Sequence, residues 1–62
     1  MKEKLKALLE EKGYEVKAAE NALWAKRGEE AYVVQFFPGG VAFQSAGPVS
    51  RDFAEALLSA GI

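Results

Sequence analysis

The chain has 62 residues, a length at which one small domain buries only about 60% of the surface that its unfolded chain exposes. It contains no cysteine and no histidine, which excludes a disulfide framework and leaves only carboxylates and carbonyls as metal ligands. Eight Lys and Arg residues against nine Asp and Glu give a net charge of −1, which argues against a dedicated duplex-DNA binder. Marginal stability at this size favours oligomerisation.

The composition also bears on where the protein works. No apolar run reaches the roughly 18 residues of a membrane-spanning helix, and no signal-peptide pattern is found, so we expect a cytoplasmic protein. Thermally labile residue types are scarce, whereas Glu and Lys are plentiful and the expected loops are short. Such a composition is typical of thermophiles.

The first expected element is an amphipathic helix over residues 2–12. Leu5, Leu8 and Leu9 recur there at helical spacing among charged residues. Gly13 fits the position that closes a helix. Four strands then follow, separated by short turns, at residues 14–18, 22–27, 31–37 and 41–46. Short turns make neighbouring strands antiparallel, so the four strands form a meander.

A second helix is expected after Ser50, which is a good N-cap and is followed by Asp52 in the first turn. The predicted fold is a single α+β domain over residues 1–62, in the order α-β-β-β-β-α, with both helices packed on one face of a four-stranded antiparallel meander. The expected core consists of Leu5, Leu8, Leu9, Val16, Phe53, Leu57 and Leu58.

Three phrases of the chain together resemble a known nuclease core. They are LLEEKGYEV at residues 8–16, NALWA at 21–25 and YVVQFF at 32–37. With these phrases, residues 8–37 resemble the core of the restriction endonuclease-like nucleases, especially the Mrr-type branch. Beyond residue 37 that family continues with a helix and another strand, where this chain has a PGG turn.

The resemblance implies the nuclease fold without its catalytic residues. The family places a metal-binding Asp on the second strand, a Glu or Gln on the third and a Lys two residues later, which together activate water beside a divalent cation. These positions correspond to Ala22, Gln35 and Phe37. Because neither Ala22 nor Phe37 can perform the required role, the resemblance implies a catalytically inactive nuclease-fold subunit.

A second resemblance involves residues 36–61, FFPGGVAFQSAGPVSRDFAEALLSAG. In the order of its elements, this segment is similar to HicB-type antitoxins, in which a strand, a Pro-Gly turn and another strand precede a Ser- or Thr-capped helix. It implies an antitoxin-like regulator that binds nucleic acid.

The residues offer little for catalysis. Ser50 is better explained as a helix cap than as a nucleophile, since no base accompanies it. Glu29 and Glu30 fall in a predicted turn, where a solvated charge is the ordinary state. The two glycines of the PGG turn lack the GK[ST] sequence of a phosphate loop. We therefore expect no catalytic, cofactor-binding or metal-binding residue, and no enzyme activity.

The most informative feature is that the sheet has more large apolar side chains than one helix-covered face can bury. Phe36 and Phe37 are adjacent in a strand and so point to opposite faces, one beneath the helices and one outward. The second face of an antiparallel sheet should be polar if it is solvated, and this one is not. We expect a self-associating interaction module, most simply a homodimer, with an interface formed by Trp24, Val33, Phe37 and Phe43.

One alternative uses the same aromatic residues differently. Lys26 and Arg27 end the second strand close to Trp24, and they would flank a stacking platform for single-stranded nucleic acid. The negative net charge weighs against this alternative, which stays open beside self-association and an inactive nuclease-fold subunit.

Overall fold

The computed structural model describes residues 1–62 and confirms the predicted α+β fold. In chain order, its elements are α1 (Lys2–Glu11), β1 (Glu15–Ala19), β2 (Ala22–Arg27), β3 (Glu30–Phe37), β4 (Gly40–Ser45) and α2 (Arg51–Ser59). The strands form one antiparallel sheet in the order β1-β2-β3-β4. The bounds differ from the predicted ones by no more than one residue at any end.

Local signals at the helix ends act as expected. Gly13 has φ 93°, in the left-handed region that suits glycine, and its N–H donates to the carbonyl of Glu10. The N–H of Tyr14 donates to the carbonyl of Leu9, which completes the turn out of α1. At the start of α2, the Ser50 hydroxyl accepts a hydrogen bond from the N–H of Phe53, which confirms Ser50 as the N-cap.

The core lies between the sheet and one layer of two helices. The sheet contributes Leu23, Ala25, Tyr32 and Val34, which alternate along β2 and β3 and so share one face. From the helices and the segments next to them come Leu5, Leu9, Tyr14, Phe53, Ala56, Leu57 and Ala60. Both helices therefore cover the same face, as predicted.

The predicted core was wrong at Leu58, whose side chain is 73% exposed. The buried stripe of α2 runs through Phe53, Ala56, Leu57 and Ala60, at helical spacing, and Leu58 lies about 100° around the helix from Leu57. Two predicted core residues, Leu8 and Val16, are only partly buried and pack against the edge of the core.

The register divides the remaining side chains of the sheet between its two faces. The face opposite the helices, called the open face below, has no layer over it. Its side chains come from alternate positions of the four strands: Glu15, Lys17, Ala19, Ala22, Trp24, Lys26, Ala31, Val33, Gln35, Phe37, Ala42 and Gln44.

Candidate interaction site

The open face has an apolar centre. Trp24 lies directly opposite Val33 in the β2–β3 pair, and its side chain is 46% exposed. Phe37, at the end of β3 on the same face, is 56% exposed. Three of the four residues predicted for the interface, Trp24, Val33 and Phe37, therefore share a face that no helix covers.

Side chains of mixed size surround these residues. Ala22, Ala31 and Ala42 occupy neighbouring positions of the open face, and Lys17 lies directly opposite Trp24 in the β1–β2 pair. A groove of about 590 Å³ crosses the face. Its lining includes Glu15, Lys17, Trp24, Lys26, Val33 and Gln44. A groove beside a large exposed aromatic side chain offers a partner both a recess and an apolar contact.

Phe43 does not belong to this surface, and its predicted place beside Trp24 was wrong. It pairs with Val34 in the β3–β4 ladder, which puts its ring on the helix-bearing face. There it packs edge-to-face on Phe53, with ring centroids 5.4 Å apart, yet it stays 41% exposed because it lies at the outer strand. The alternation of side chains in β4 explains the correction, since Ala42 and Gln44 occupy the open face.

The two basic residues at the end of β2 also separate. Lys26 lies on the open face opposite Glu15, whereas Arg27 points to the helix side. The Arg27 guanidinium donates to both the Glu30 carboxylate and Asp52 Oδ2, and also to the carbonyl of Lys12. Arg27 is thus engaged within the fold and does not flank Trp24, which corrects the predicted pairing of Lys26 with Arg27.

A polar cluster lies where the end of α1, the start of β3 and the start of α2 meet. The hydroxyls of Tyr14 and Tyr32 donate to Glu30 Oε1 at 2.6 and 2.9 Å. The Ser50 hydroxyl lies 3.0 Å from the Tyr14 hydroxyl. The Arg27 guanidinium closes the cluster, 2.7 Å from Glu30 Oε2 and 4.4 Å above the centre of the Tyr14 ring.

The electrostatics of the cluster follow from these contacts. The hydrogen bond from Tyr14, with further donors from Ser50, Arg27 and Tyr32, lowers the pKa of Glu30 to about 2. Burial, followed by the hydrogen bond to Glu30, raises the pKa of the Tyr14 phenol to about 12. The carboxylates of Glu30 and Asp52 raise the pKa of Arg27 above its ordinary value.

The predicted state of Glu30 as a solvated turn residue was therefore wrong. Glu30 is the first residue of β3, and its carboxylate accepts hydrogen bonds from two tyrosines and an arginine. Sequence reasoning missed it because Tyr14 is 16 residues away, and because Glu30 was placed in a turn instead of in the strand where Tyr32 shares its face. The polar groups of the cluster bond to one another, so the cluster joins the two helices to the sheet.

The positions that carry the nuclease resemblance are adjacent in space. Ala22 lies directly opposite Gln35 in the β2–β3 pair, and Phe37 follows two residues later on the same face. None of the three side chains is a carboxylate or an amine. No group of three or more acidic side chains lies together in an arrangement that would hold a metal ion.

Neither helix has the length and apolar character required to cross a membrane. Comparison with family models, with curated proteins and with solved structures finds no match to this chain.

Proposed function

We propose that the protein is a non-enzymatic, cytoplasmic interaction module that self-associates through the open face of its sheet. The observation that supports this most directly is the exposure of Trp24 and Phe37 on a face that no other element covers. Large exposed aromatic side chains on an uncovered sheet face are a feature that interaction surfaces share. Trp is also among the residues enriched at the energetic centres of interfaces.

Two features of this face, its small side chains and its mixed charges, support a second copy of the chain as the partner. The alanines around Trp24 allow two sheets to approach to about 10 Å, the ordinary spacing of packed sheets. The charged side chains of the face are Glu15, Lys17 and Lys26, so a second copy has to place its Glu15 near a lysine of the first to avoid like-charge repulsion. Phe37 is 56% exposed, so completing its burial is worth about half of the roughly 1.5–3 kcal/mol of a fully exposed side chain, and a two-fold axis repeats each contact.

The test compares the solution mass of the wild type with that of a variant that carries one added charge on the open face. At micromolar concentration, the wild type is expected to have a mass of twice 6.7 kDa or a higher even multiple by light scattering. Phe37→Glu should lower that mass, because it buries a carboxylate without a partner. Circular dichroism of the variant should match the wild type, since Phe37 is outside the core.

Ser59→Glu is the matched control, because it adds the same charge at an exposed position of α2. It should leave the mass unchanged. A wild type that is monomeric at high micromolar concentration would overturn the proposal. An unchanged mass in Phe37→Glu would also contradict the open face as the interface.

A second candidate function is binding of single-stranded nucleic acid on the same face. The observation that favours it is the position of Lys17, directly opposite Trp24 in the β1–β2 pair, with Lys26 next to it on β2. An aromatic ring between two amines is an arrangement that stacks a base and pairs with phosphate. Salt-dependent quenching of Trp24 fluorescence by an oligothymidine, lost in Lys17→Glu, would support this function over self-association.

A further inference from the structure

The two edges of the sheet differ in how they are protected. At one edge, β1 carries the charged side chains of Glu15 and Lys17. The Lys2 ammonium also donates hydrogen bonds there, to the carbonyls of Ala19 and Glu20. Charged side chains and covering groups are the usual means by which a protein prevents edge pairing. On the other edge, β4 (Gly40–Ser45) contains no charged residue and no proline.

The hydrogen-bond pattern identifies which backbone groups of β4 face outward. The N–H of Ala46 donates to the carbonyl of Ala31, so these two residues form a hydrogen-bonded pair of the β3–β4 ladder. Such pairs recur at every second position of an antiparallel ladder. The groups of Ala42 and Gln44 therefore bond to β3, whereas the N–H and C=O groups of Val41, Phe43 and Ser45 point away from the sheet.

Apolar side chains continue from this edge into the helix layer. Phe43 packs on Phe53 of α2 but remains 41% exposed. Asp52 and Glu55 of α2 contact Lys12 at the end of α1, so they mark the flank of α2 that faces α1. Helical spacing puts Ala54 on the β4 side of α2, and puts Leu58 between that side and the outer surface of the helix. The β4 edge and the β4 side of α2 form a second uncovered surface, called the β4 flank below.

From these observations we infer that the β4 flank binds a second copy of the chain, with two β4 strands pairing antiparallel about a two-fold axis normal to the sheet. The symmetry determines the register. Pairing Phe43 with Phe43 of the partner subunit, and Val41 with Ser45 of the partner subunit, satisfies every outward N–H and C=O group of the strand. No other symmetric register pairs all three residues.

The helix layer explains why the occupant is a second copy. An isolated strand from another protein would pair with the edge but would leave Leu58 in water. A second copy related by this axis carries its helices on the same side of the sheet, so its α2 approaches Ala54 and borders Leu58 at the rim of the contact. The absence of charge on β4 also removes the repulsion that would oppose self-pairing.

This surface is separate from the open face, and the two can act together. Edge pairing makes a continuous eight-stranded sheet, and the open faces of two such sheets remain available for each other. Both contacts together give a tetramer with two kinds of two-fold interface, whereas either contact alone gives a dimer.

The test combines solution mass with amide hydrogen exchange, measured by NMR at low and high protein concentration. In the wild type, and also in Phe37→Glu, the amides of Val41, Phe43 and Ser45 should become protected at high concentration. Leu58→Glu, which puts a carboxylate into the β4 flank, should restore their rapid exchange and halve the mass. Ser59→Glu, one residue along α2 on its other side, should change neither.

The outcomes separate this inference from the proposed function. Rapid exchange of the three amides in the wild type at high concentration overturns edge pairing, as does unchanged protection in Leu58→Glu. A mass that falls in Leu58→Glu but not in Phe37→Glu supports edge pairing while contradicting the open face as an interface. A mass that falls only in Phe37→Glu supports the open face as the interface and contradicts edge pairing.

Discussion

The Tyr14 hydroxyl donates a 2.6 Å hydrogen bond to the Glu30 carboxylate, across 16 residues of sequence. Tyr14 follows the turn that ends α1, and Glu30 begins β3, so this bond joins the first helix to the centre of the sheet. Through Ser50, the same cluster also holds the start of α2. A domain with only a small core thus gains a polar connection between all its layers.

The first prediction concerns acid stability. The pKa of Glu30 is lowered to about 2 in the fold, against an ordinary value of 4.5. Its contribution to the free energy of unfolding is therefore fully present above pH 4.5 and is lost as the pH falls towards 2. The melting temperature should decrease across this window, as measured by circular dichroism in buffers of constant ionic strength.

In Glu30→Gln, the melting temperature should be lower at pH 7 and should depend less on pH between 4.5 and 2. Glu29→Gln is the matched control, since the exposed side chain of Glu29 makes no hydrogen bond within the chain. It should keep the pH dependence of the wild type. An equal slope in Glu30→Gln and the wild type would disprove the assignment.

The second prediction concerns alkaline pH. Because burial and the bond to Glu30 raise the pKa of Tyr14 from 10 to about 12, the fold favours the protonated phenol. Stability from this group is present below pH 10 and is lost as the pH rises through 12. The ring carbon resonance of Tyr14 should titrate near pH 12. In Glu30→Gln, the pKa of Tyr14 should fall but stay above 10, since burial is the larger cause.

A third prediction compares two leucines that sequence reasoning treated alike. Leu9 is fully buried between α1 and the sheet, whereas Leu58 is 73% exposed. Leu9→Ala should cost about 2–5 kcal/mol of unfolding free energy, because it removes buried methyl groups and leaves a cavity. Leu58→Ala should change it by less than about 0.5 kcal/mol in denaturant titrations at concentrations too low for association. Equal losses in the two variants would refute the placement of α2.

The last prediction is that purified protein does not cleave DNA with magnesium or manganese. Ala22 and Phe37 occupy the positions where the resembling nucleases have an Asp and a Lys, so no side chain there binds a cation or polarises water. A plasmid-nicking assay measures this directly. Cleavage that follows the protein through two independent purification steps, and that disappears in Gln35→Ala, would contradict the prediction.

The sequence by itself determined the elements and the order of the fold. Helical spacing of Leu5 and Leu9, alternation along β3, the cap at Ser50 and the glycine at position 13 are local signals, because each depends on neighbours within a few residues. Short turns then left only an antiparallel meander. The outward position of Phe37 followed from the same alternation.

Only the tertiary structure decided how side chains from different elements meet. The register of β4 against β3 moved Phe43 to the helix-bearing face, and a rotation of 100° about α2 placed Leu58 in water instead of the core. The Glu30 cluster was equally invisible, since Tyr14 reaches Glu30 only after α1 and the sheet have packed, and Tyr32 shares its face only because Glu30 belongs to β3. Periodicity describes which side of one element is apolar, whereas partners across elements depend on register, rotation and packing distance.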